Sequence, residues 1–464
     1  MTDPRAAAPT PTTPAVAAVG SGSTALLTDK YELTMLQAAL ADGTAHRRCV
    51  FEVFTRRLPP GRRYGVLAGT GRVLEQLAAF RFGTPELDWL ADARVVDDAT
   101  LEFLAGYRFT GDVVGYAEGE AFFPQSPVLV VEGTFAEAVL LETLVLSVLN
   151  YDSAVASAAS RMTSAAVGRP CLEMGARRAH EDAAVAAARA AVVAGFAGTS
   201  NLEAGRRYGL ATIGTAAHAF TLLHDDEEAA FASQVRSQGP GTTLLVDTYD
   251  VRRGVERALA AAGTGLGAVR LDSGDLAVQA QEVRAQLDAA GAHDTQIVVT
   301  SDLDEYAIAA LAVAPVDSYG VGTSLVTGSG APTCGMVYKL VAREGASGAM
   351  EPVAKASRSK TSVGGRKAAA RRLGPDGRAV EEVLVVGPDD RVARWTAHAT
   401  PDPSLRPLHV PLVVGGEVLP GLTAADGVRA AAARHAASRD ELPRGARRLS
   451  ADEAAVPTVE LSLD

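Results

Sequence analysis

The sequence predicts an α/β fold built on a buried parallel sheet. Four short apolar runs occur in the second half of the chain, at residues 242–247, 268–272, 296–300 and 317–322. None of these runs alternates polar and apolar residues, which is typical of strands buried on both faces. Helical patterns separate the runs, at residues 251–262, from 276 to about 290, and at 303–314. This βα order is typical of either a barrel or a doubly wound sheet.

Polar side chains stand at the carboxyl end of each predicted strand, namely Asp247, Arg270, Asp272, residues 300–302 and Thr323. In both architectures this edge of the sheet is where ligands bind. The segment VRLDSGDL offers Arg270 as a fixed cation for an anionic substrate. It also offers Asp272 as a carboxylate that accepts hydroxyl hydrogen bonds or holds a metal. The alternative is a surface turn in which Asp275 only caps the next helix.

The whole chain limits the class of protein. Its 464 residues predict two or three domains. The net charge of -11 disfavours a sequence-independent grip on nucleic acid, which requires a basic surface. No apolar run reaches the ~20 residues of a membrane span, and the start lacks the pattern of a signal peptide. The odd number of cysteines, Cys49, Cys171 and Cys334, fits a reducing cytoplasm and packing roles.

The N-terminal region begins with residues 1–23, whose composition of Ala, Pro, Thr, Gly and Ser predicts a disordered tail. A helix is predicted to start at a cap formed by Thr28 or Asp29, with Tyr31 in its first turn. Residues 56–71 form a basic, Gly/Pro-rich loop, either a solvated turn or a cover for a phosphate.

Three local patterns in the first half of the chain give further expectations. Residues 49–55 alternate as a half-buried strand, and residues 135–149 read as one long apolar helix. The pair Asp97 and Asp98 lacks the Gly/Thr-rich cradle of a ribose-phosphate motif, so Asp98 is interpreted as a helix cap. The Gly-rich turn at 195–205 is interpreted as a tight connection in preference to a ligand site.

The segment LATIGTAAHAF at residues 210–220 contains a candidate anion site. A short strand is predicted to end at Gly214, with Thr215 capping a helix whose first turn holds His218. Free amides and the positive dipole end of a helix favour an anion there. A phosphate on His218, or a phosphorylated ligand beside it, would be stabilised. The alternative is a histidine with a purely structural role.

Several long segments, in chain order, together resemble the nicotinate phosphoribosyltransferase family: LLTDKYELTM, FEVFTRRLPPGRRYGVLAG, ETLVLSVLNY, the GTSN loop, GTAAHAF, LLVDTYD, VRLDSGDL and GVGTSLVTG. The resemblance covers the chain from about residue 26 to its C-terminus. It implies an irregular α/β barrel of the type II phosphoribosyltransferase kind, with a smaller, mostly β domain built from N- and C-terminal segments. The expected divisions are the tail 1–23, an N-terminal α+β domain 24–135, the barrel 136–345 and a returning segment 346–464.

The resemblance also implies a reaction. Nicotinate is joined to 5-phosphoribosyl 1-pyrophosphate, giving nicotinate mononucleotide and pyrophosphate in NAD biosynthesis. The reaction uses Mg²⁺ and is coupled to ATP hydrolysis through a phosphohistidine. A cytoplasmic homodimer with shared active sites is expected, without nucleic-acid or membrane partners. The alternatives are a nicotinamide phosphoribosyltransferase and a non-catalytic relative that binds ligand without turnover.

By the same resemblance, individual residues take expected roles. Tyr31 matches a tyrosine that stacks on nicotinate, and Thr215 and Arg270 match its polar partners. His218 matches the phosphorylated histidine. The acids and threonines of the sugar and phosphate site are matched by Asp272, Asp247, Thr300 and Thr323, with His218, Asp272 and Arg270 as the catalytic group. The basic run at residues 355–371 is either a phosphate contact or a solvated loop.

Overall fold

The computed structural model describes residues 23–355, 363–397 and 402–463. Residues 1–22 of the predicted tail and residues 356–362 of the basic run lie outside the described residues. The helices are α1 (Lys30–Asp42), α2 (Thr70–Ala79), α3 (Thr84–Asp92), α4 (Asp98–Ala105), α5 (Phe135–Val139), α6 (Glu142–Ala165), α7 (Glu181–Val193), α8 (Leu202–Tyr208), α9 (His218–Leu223), α10 (Glu227–Gln238), α11 (Val251–Ala262), α12 (Leu276–Ala289), α13 (Glu305–Leu311), α14 (Thr323–Val326), α15 (Asp389–Ala397) and α16 (Ala424–Glu441).

The strands of the described residues form four sheets. They are β1 (Arg48–Thr55), β2 (Gly65–Val66), β3 (Asp112–Tyr116), β4 (Ala121–Phe122), β5 (Leu129–Thr134), β6 (Cys171–Glu173), β7 (Gly198–Thr199), β8 (Thr243–Leu245), β9 (Ala268–Leu271), β10 (Gln296–Val299), β11 (Ser318–Val321), β12 (Met336–Glu344), β13 (Met350–Pro352), β14 (Ala368–Leu373), β15 (Ala379–Val386), β16 (Leu405–Pro407), β17 (His409–Val414), β18 (Glu417–Val418) and β19 (Thr458–Ser462).

The first part of the fold is a curled parallel sheet with the strand order β7-β6-β11-β10-β9-β8. Strands β8 to β11 are the four predicted from the sequence, and helices α11 to α13 occupy the predicted intervals. The sheet is open, since β7 and β8 each pair with one neighbour within the described chain. The predicted irregular α/β barrel is therefore confirmed, in the form of a half-barrel.

The smaller domain is mostly β and draws its strands from both parts of the chain. Its seven-stranded sheet has the order β13-β12-β1-β5-β3-β17-β18, and its four-stranded sheet the order β16-β14-β15-β19. Strand β1 pairs antiparallel with β5 and with β12, and β3 pairs antiparallel with β17. The smaller domain built from N- and C-terminal segments is thus confirmed, while the exact domain boundaries stay predictions.

Three local predictions in the first half of the chain were wrong. Strand β1 is buried at every residue after Arg48, because one face packs on the main core of the domain and the other on a cluster around Val50. The single helix predicted at 135–149 is divided into α5 and α6 at Leu140 and Leu141. Asp97, not Asp98, caps α4, since its carboxylate accepts the backbone N–H of Thr100 at 2.9 Å.

The basic loop before β2 is tied to the barrel at Arg62. Arg62 is 4% exposed, and its guanidinium donates to Glu305 at 3.2 Å and to the carbonyl of Gly328 at 2.7 Å. Arg161 of α6 donates to the same Glu305 carboxylate at 2.8 Å. A buried carboxylate shared between two arginines fixes this part of the loop against α13, so Arg62 is neither solvated nor a mobile cover.

The described part of the basic run at residues 355–371 is structural. Arg366 is paired with Glu132, and Lys367 donates to Glu52 at 2.8 Å within the small domain. Arg371 is fully buried among carboxylates. All three cysteines are free and buried, as predicted. Among the described helices, none is both long enough and apolar enough to cross a membrane.

Candidate active site

Polar residues meet at the carboxyl edge of the half-barrel, as the strand pattern predicts. A cleft of about 250 Å³ opens there, between the ends of β6, β9, β10 and β11. Its lining includes four residues singled out from the sequence, namely Arg270, Asp272, Thr300 and Thr323. It also includes Ser301 and Asp302, which belong to the same predicted strand end as Thr300. Sequence reasoning missed five further lining residues, namely Met174, Arg177, Arg178, Gly320 and Gly322.

Arg270 is held at the end of β9 by three hydrogen bonds. Its Nε donates to the hydroxyl of Thr300 at 2.9 Å, and its Nη2 donates to Asp272 Oδ1 at 3.2 Å. Its Nη1 donates to the carbonyl of Ala216 at 3.3 Å. A guanidinium carries five N–H donors, so one N–H on each terminal nitrogen is left for a ligand. The side chain is 16% exposed, which places a mostly desolvated cation in the cleft.

His218 lies between two carboxylates. Its Nδ1 is 3.1 Å from the hydroxyl of Thr248, a residue that sequence reasoning passed over although it follows Asp247 directly. Its Nε2 is 3.9 Å from Asp247 Oδ1 and 3.8 Å from Asp272 Oδ2. These separations are too long for direct hydrogen bonds. The imidazole is 40% exposed, so it is accessible to a ligand.

The local structure around His218 differs from the prediction. His218 is the first residue of α9, but the cap position is occupied by Ala217, and no side chain caps the helix. Thr215 is exposed and lies ahead of the cap position, so its predicted capping role was wrong. The strand predicted to end at Gly214 is reduced to a bridge between Thr212 and Thr199. Because α9 spans only six residues, its dipole adds little to an anion site.

Asp247 has one carboxylate oxygen without a partner. Its Oδ2 accepts from the backbone N–H of Asp272 and from the hydroxyl of Ser273, both at 2.8 Å. Its Oδ1 is buried and makes no hydrogen bond within the described chain, and the side chain is 1% exposed. Burying an unpaired carboxylate oxygen is costly, so this atom is suited to a cation or a ligand hydroxyl.

The described residues contain no group of three or more His, Cys, Asp or Glu side chains placed to hold a metal ion. Mg²⁺ commonly takes only one or two carboxylates and completes its shell with water and substrate phosphates. The free Oδ1 of Asp247 and the 32% exposed carboxylate of Asp272 fit that pattern.

Arg177 and Arg178 follow β6 and face the same cleft. Both are exposed, and neither makes an ion pair among the interactions of the described residues. They were missed because β6 has only three residues and ends in Glu173, so it gave no apolar run. The rule that polar residues follow strand ends would have found them once β6 was recognised.

Ser301, at the mouth of the cleft after β10, has a strained backbone with φ of 143°. This region is almost restricted to glycine, and a serine held there costs about 1–3 kcal/mol. The strain is retained where Thr300 and Asp302 face the cleft, a placement typical of functional turns.

Tyr31 is not brought to this cleft within one chain. It lies in the first turn of α1, which packs in the core of the smaller domain, and it is 43% exposed. Partial burial and the neighbouring carboxylate of Glu142 raise the pKa of its hydroxyl. None of the hydrogen bonds described for Arg270 and His218 involves Tyr31.

A second, larger cleft of about 870 Å³ lies beside Arg56, Arg57 and Cys334.

Comparison with known proteins identifies the family. Residues 26–150 match the model of the nicotinate phosphoribosyltransferase (NAPRTase) N-terminal domain. The chain is 57% identical to nicotinate phosphoribosyltransferase pncB1 of Mycobacterium tuberculosis over 93% of its own length and 94% of the relative's. The crystal structure of human nicotinic acid phosphoribosyltransferase superposes with a TM-score of 0.79 at 28% identity, covering 93% of this chain and 97% of the human one. A nicotinate-nucleotide pyrophosphorylase structure from Pyrococcus furiosus gives a TM-score of 0.72 at 26% identity, covering 90% and 96%. The chain therefore belongs to the nicotinate phosphoribosyltransferase family.

Proposed function

We propose that this chain transfers a phosphoribosyl group from 5-phosphoribosyl 1-pyrophosphate to nicotinate, giving nicotinate mononucleotide and pyrophosphate in NAD salvage. The observation that carries the proposal is Arg270, a mostly buried guanidinium with one free N–H on each terminal nitrogen, at the carboxyl edge of the half-barrel. Those two donors suit the two oxygens of a carboxylate. Family membership supports the same reaction.

The acid is the preferred acceptor over the amide for an electrostatic reason. A buried carboxylate is costly unless a cation and donors meet it, and Arg270 supplies both. Nicotinamide has no charge, so its binding would bury Arg270 without a counter-ion beyond Asp272. This argument favours nicotinate over the alternative activity, a nicotinamide phosphoribosyltransferase.

The remaining groups of the cleft serve the sugar and its leaving group. Transfer from an anomeric carbon passes through a state with positive charge on the sugar, which the carboxylate of Asp272 stabilises. Arg177 and Arg178 are free cations in the same cleft and neutralise phosphate oxygens. Asp247 and Asp272 would hold a Mg²⁺ ion, which neutralises pyrophosphate when bound.

We further propose that His218 accepts a phosphoryl group from ATP. Three features support this role: the accessible imidazole, the hydroxyl of Thr248 on Nδ1, and the two carboxylates near Nε2. The hydroxyl bonded to Nδ1 orients the ring, and the two carboxylates leave Nε2 without a direct hydrogen bond. His218 faces the same acids as the sugar site, so a phosphoryl group on it would alter the charge that the pyrophosphate meets.

We propose that two copies share each active site, with Tyr31 of one subunit completing the site of the other. The exposure of Tyr31 and its absence from the hydrogen-bonded cluster of its own chain support this arrangement. Three free buried cysteines support a cytoplasmic location. Light scattering at assay concentration tests assembly, and a fully active monomer would contradict the shared site.

Pyrophosphate release tests the reaction itself. Purified protein is given 5-phosphoribosyl 1-pyrophosphate and Mg²⁺, with nicotinate or nicotinamide as acceptor, each with and without ATP. Release that depends on nicotinate and rises with ATP is expected. Equal use of nicotinamide would favour the alternative enzyme, and binding without release would favour a non-catalytic relative.

His218→Ala tests the coupling to ATP. The variant should lose ATP hydrolysis and ATP stimulation but keep a slow phosphoribosyl transfer, because His218 does not attack the sugar. His224→Ala is the matched control, since His224 lies just after the same helix and its ring contacts only Phe220 among the described interactions. ATP stimulation that survives in His218→Ala would end the phosphohistidine proposal.

A further inference from the structure

Thr300 stands at the end of β10 and is 3% exposed, so little of its side chain is open to a ligand. Its backbone N–H donates to the carbonyl of Leu271 at 2.8 Å, which fixes the residue in the parallel sheet. A β-branched side chain has few rotamers, so the hydroxyl of Thr300 has a restricted direction. Asp247 is buried to a similar degree, but its Oδ1 makes no hydrogen bond within the described chain, whereas the hydroxyl of Thr300 is bonded to two neighbouring side chains.

The hydrogen-bond directions at this hydroxyl are determined by chemistry. The Nε–H of Arg270 can only donate, so the oxygen of Thr300 accepts that bond at 2.9 Å. The single proton of the hydroxyl then goes to Asp272 Oδ1, a charged acceptor closer than the Leu271 carbonyl at 3.5 Å. Thr300 therefore connects Arg270 to Asp272 and holds both against the strand end.

We propose that Thr300 is a positioning residue that sets the acceptor preference of the site through Arg270, and that it makes no contact with the sugar phosphate. The inference rests on the proposed function only for the identity of the acceptor. Without the hydroxyl, Nε of Arg270 loses its partner, and the guanidinium is held by two hydrogen bonds in place of three. The two N–H groups that face the cleft are then no longer fixed for a carboxylate.

Gly320 of β11 provides independent support. A Cβ at Gly320 would come within 2.4 Å of Thr300 Cγ2 and within 2.8 Å of Met174 Sδ. The absence of a side chain there leaves room for Thr300 to stand in the position that meets Arg270. Gly320→Ala is thus a second way to move the hydroxyl of Thr300 without removing it.

The test is the ratio of kcat/KM for nicotinate to kcat/KM for nicotinamide. Thr300→Val keeps the shape but removes the hydroxyl, and it should lower this ratio about tenfold or more, the usual effect of an unpaired charged donor. Thr300→Ser restores the hydroxyl and should keep the ratio near that of the wild type. Thr323→Val, in the same cleft but exposed, should instead raise KM for 5-phosphoribosyl 1-pyrophosphate without changing the ratio.

Three results would overturn the proposal. The first is an unchanged ratio of kcat/KM for the two acceptors in Thr300→Val. The second is a Thr300→Val variant in which only KM for 5-phosphoribosyl 1-pyrophosphate changes. The third, which applies if Thr300→Val fails to fold, is an unchanged ratio in Gly320→Ala. Inactivity of the wild type with both acceptors would remove the proposed function instead. In that event a crystal structure of Thr300→Val decides: a displaced Arg270 supports the positioning role, and an Arg270 in its present place refutes it.

Discussion

Two arginines of this chain, Arg371 and Arg270, differ in how completely the protein satisfies them. Arg371 is 0% exposed and makes five hydrogen bonds, with Glu120, Ser438, Ala121 and, twice, Glu382. Arg270 makes only three. Since a guanidinium has five N–H donors, Arg371 has none to offer a ligand. The comparison teaches that incomplete satisfaction, more than charge or burial, marks a site for binding.

The carboxylates of the two regions show the same difference. Burial alone would raise the pKa of Glu120, but Arg371, Arg406 and Arg434 outweigh it and lower the pKa to about 2. Asp247 is equally buried in its side chain, yet its Oδ1 has no hydrogen-bond partner in the described chain. Three arginines therefore compensate the charge of Glu120, whereas Asp247 Oδ1 is left for something that the site binds.

The largest effect is expected from a substitution that removes Arg371, whose five N–H donors are all hydrogen-bonded. Arg371→Met should lower the free energy of unfolding by about 3–5 kcal/mol, because it leaves the buried carboxylates of Glu120 and Glu382 without their shared cation. Arg372→Met is the matched control, since Arg372 is the next residue and its 33% exposed side chain pairs near the surface, worth less than about 1 kcal/mol. Urea unfolding measures both. Arg270→Met should cost clearly less than Arg371→Met, and an equal loss would contradict the contrast.

The second effect is acid destabilisation of the small domain. Burial, together with the nearby charges of Arg366 and Arg439, lowers the pKa of His409 and of His435 to about 4. Between pH 6.5 and 4 these two histidines are protonated in the unfolded chain but stay neutral in the folded chain. The free energy of unfolding is therefore unaffected by these histidines above pH 6.5. It falls between pH 6.5 and 4, by about 3 kcal/mol for each histidine.

His435→Asn should flatten that pH dependence, measured by urea unfolding between pH 7 and about 4. His293→Asn, at an exposed histidine, should leave the curve unchanged. A curve for His435→Asn as steep as that of the wild type would show that His435 is protonated in the folded state.

The third effect concerns the incomplete arginine. Arg270→Gln should reduce kcat/KM for nicotinate by about 100-fold, as expected for truncating one partner of a desolvated charge pair. It should also reduce the difference in kcat/KM between nicotinate and nicotinamide. Arg270→Lys keeps the charge but loses the fork, so it should raise KM for nicotinate more than KM for 5-phosphoribosyl 1-pyrophosphate. Steady-state kinetics with both acceptors measures this. An unchanged KM for nicotinate in Arg270→Gln would remove the assigned role.

The smallest effect concerns the backbone strain at Ser301, beside the cleft. Ser301→Gly should raise the free energy of unfolding by about 1 kcal/mol, the strain relieved less the entropy cost of glycine. Activity should fall modestly, since the turn beside Thr300 becomes less rigid. Thermal unfolding and initial rates measure the two changes. A loss of stability in Ser301→Gly would show that the serine conformation is not strained.

The parallel sheet was predictable because its central strands are uniformly apolar. Strands β8 to β11 gave unambiguous runs, and α11 begins and ends at the predicted residues. Strands β6 and β7 have only three and two residues, too few for a periodic signal, and so Arg177 and Arg178 were missed. The pairing of β1 with β12 is a long-range contact that leaves no local pattern, so it was not predicted from the sequence.

The residue types of the site could be predicted from the sequence, but the hydrogen bonds between their side chains could not. The strand-end rule found Asp247, Arg270 and Asp272, yet no spacing indicates that Asp247 Oδ1 lacks a partner or that Thr248 meets His218. Hydrogen-bond satisfaction depends on side-chain directions in three dimensions. The family resemblance placed Thr300 at the sugar phosphate, and no spacing in the sequence indicates that its hydroxyl bonds to Arg270 and Asp272.

The interleaving of the chain ends has a consequence for how the protein is made. Strand β3 pairs with β17, and the backbone of Gly415 donates to the carboxylate of Asp112 across 303 residues of sequence. During synthesis the seven-stranded sheet cannot be completed until β17 and β18, near the end of the chain, have left the ribosome. Its exposed edges must wait unpaired, a condition in which slow folding and aggregation compete. The nascent chain is therefore expected to need protection by chaperones until its last strands emerge.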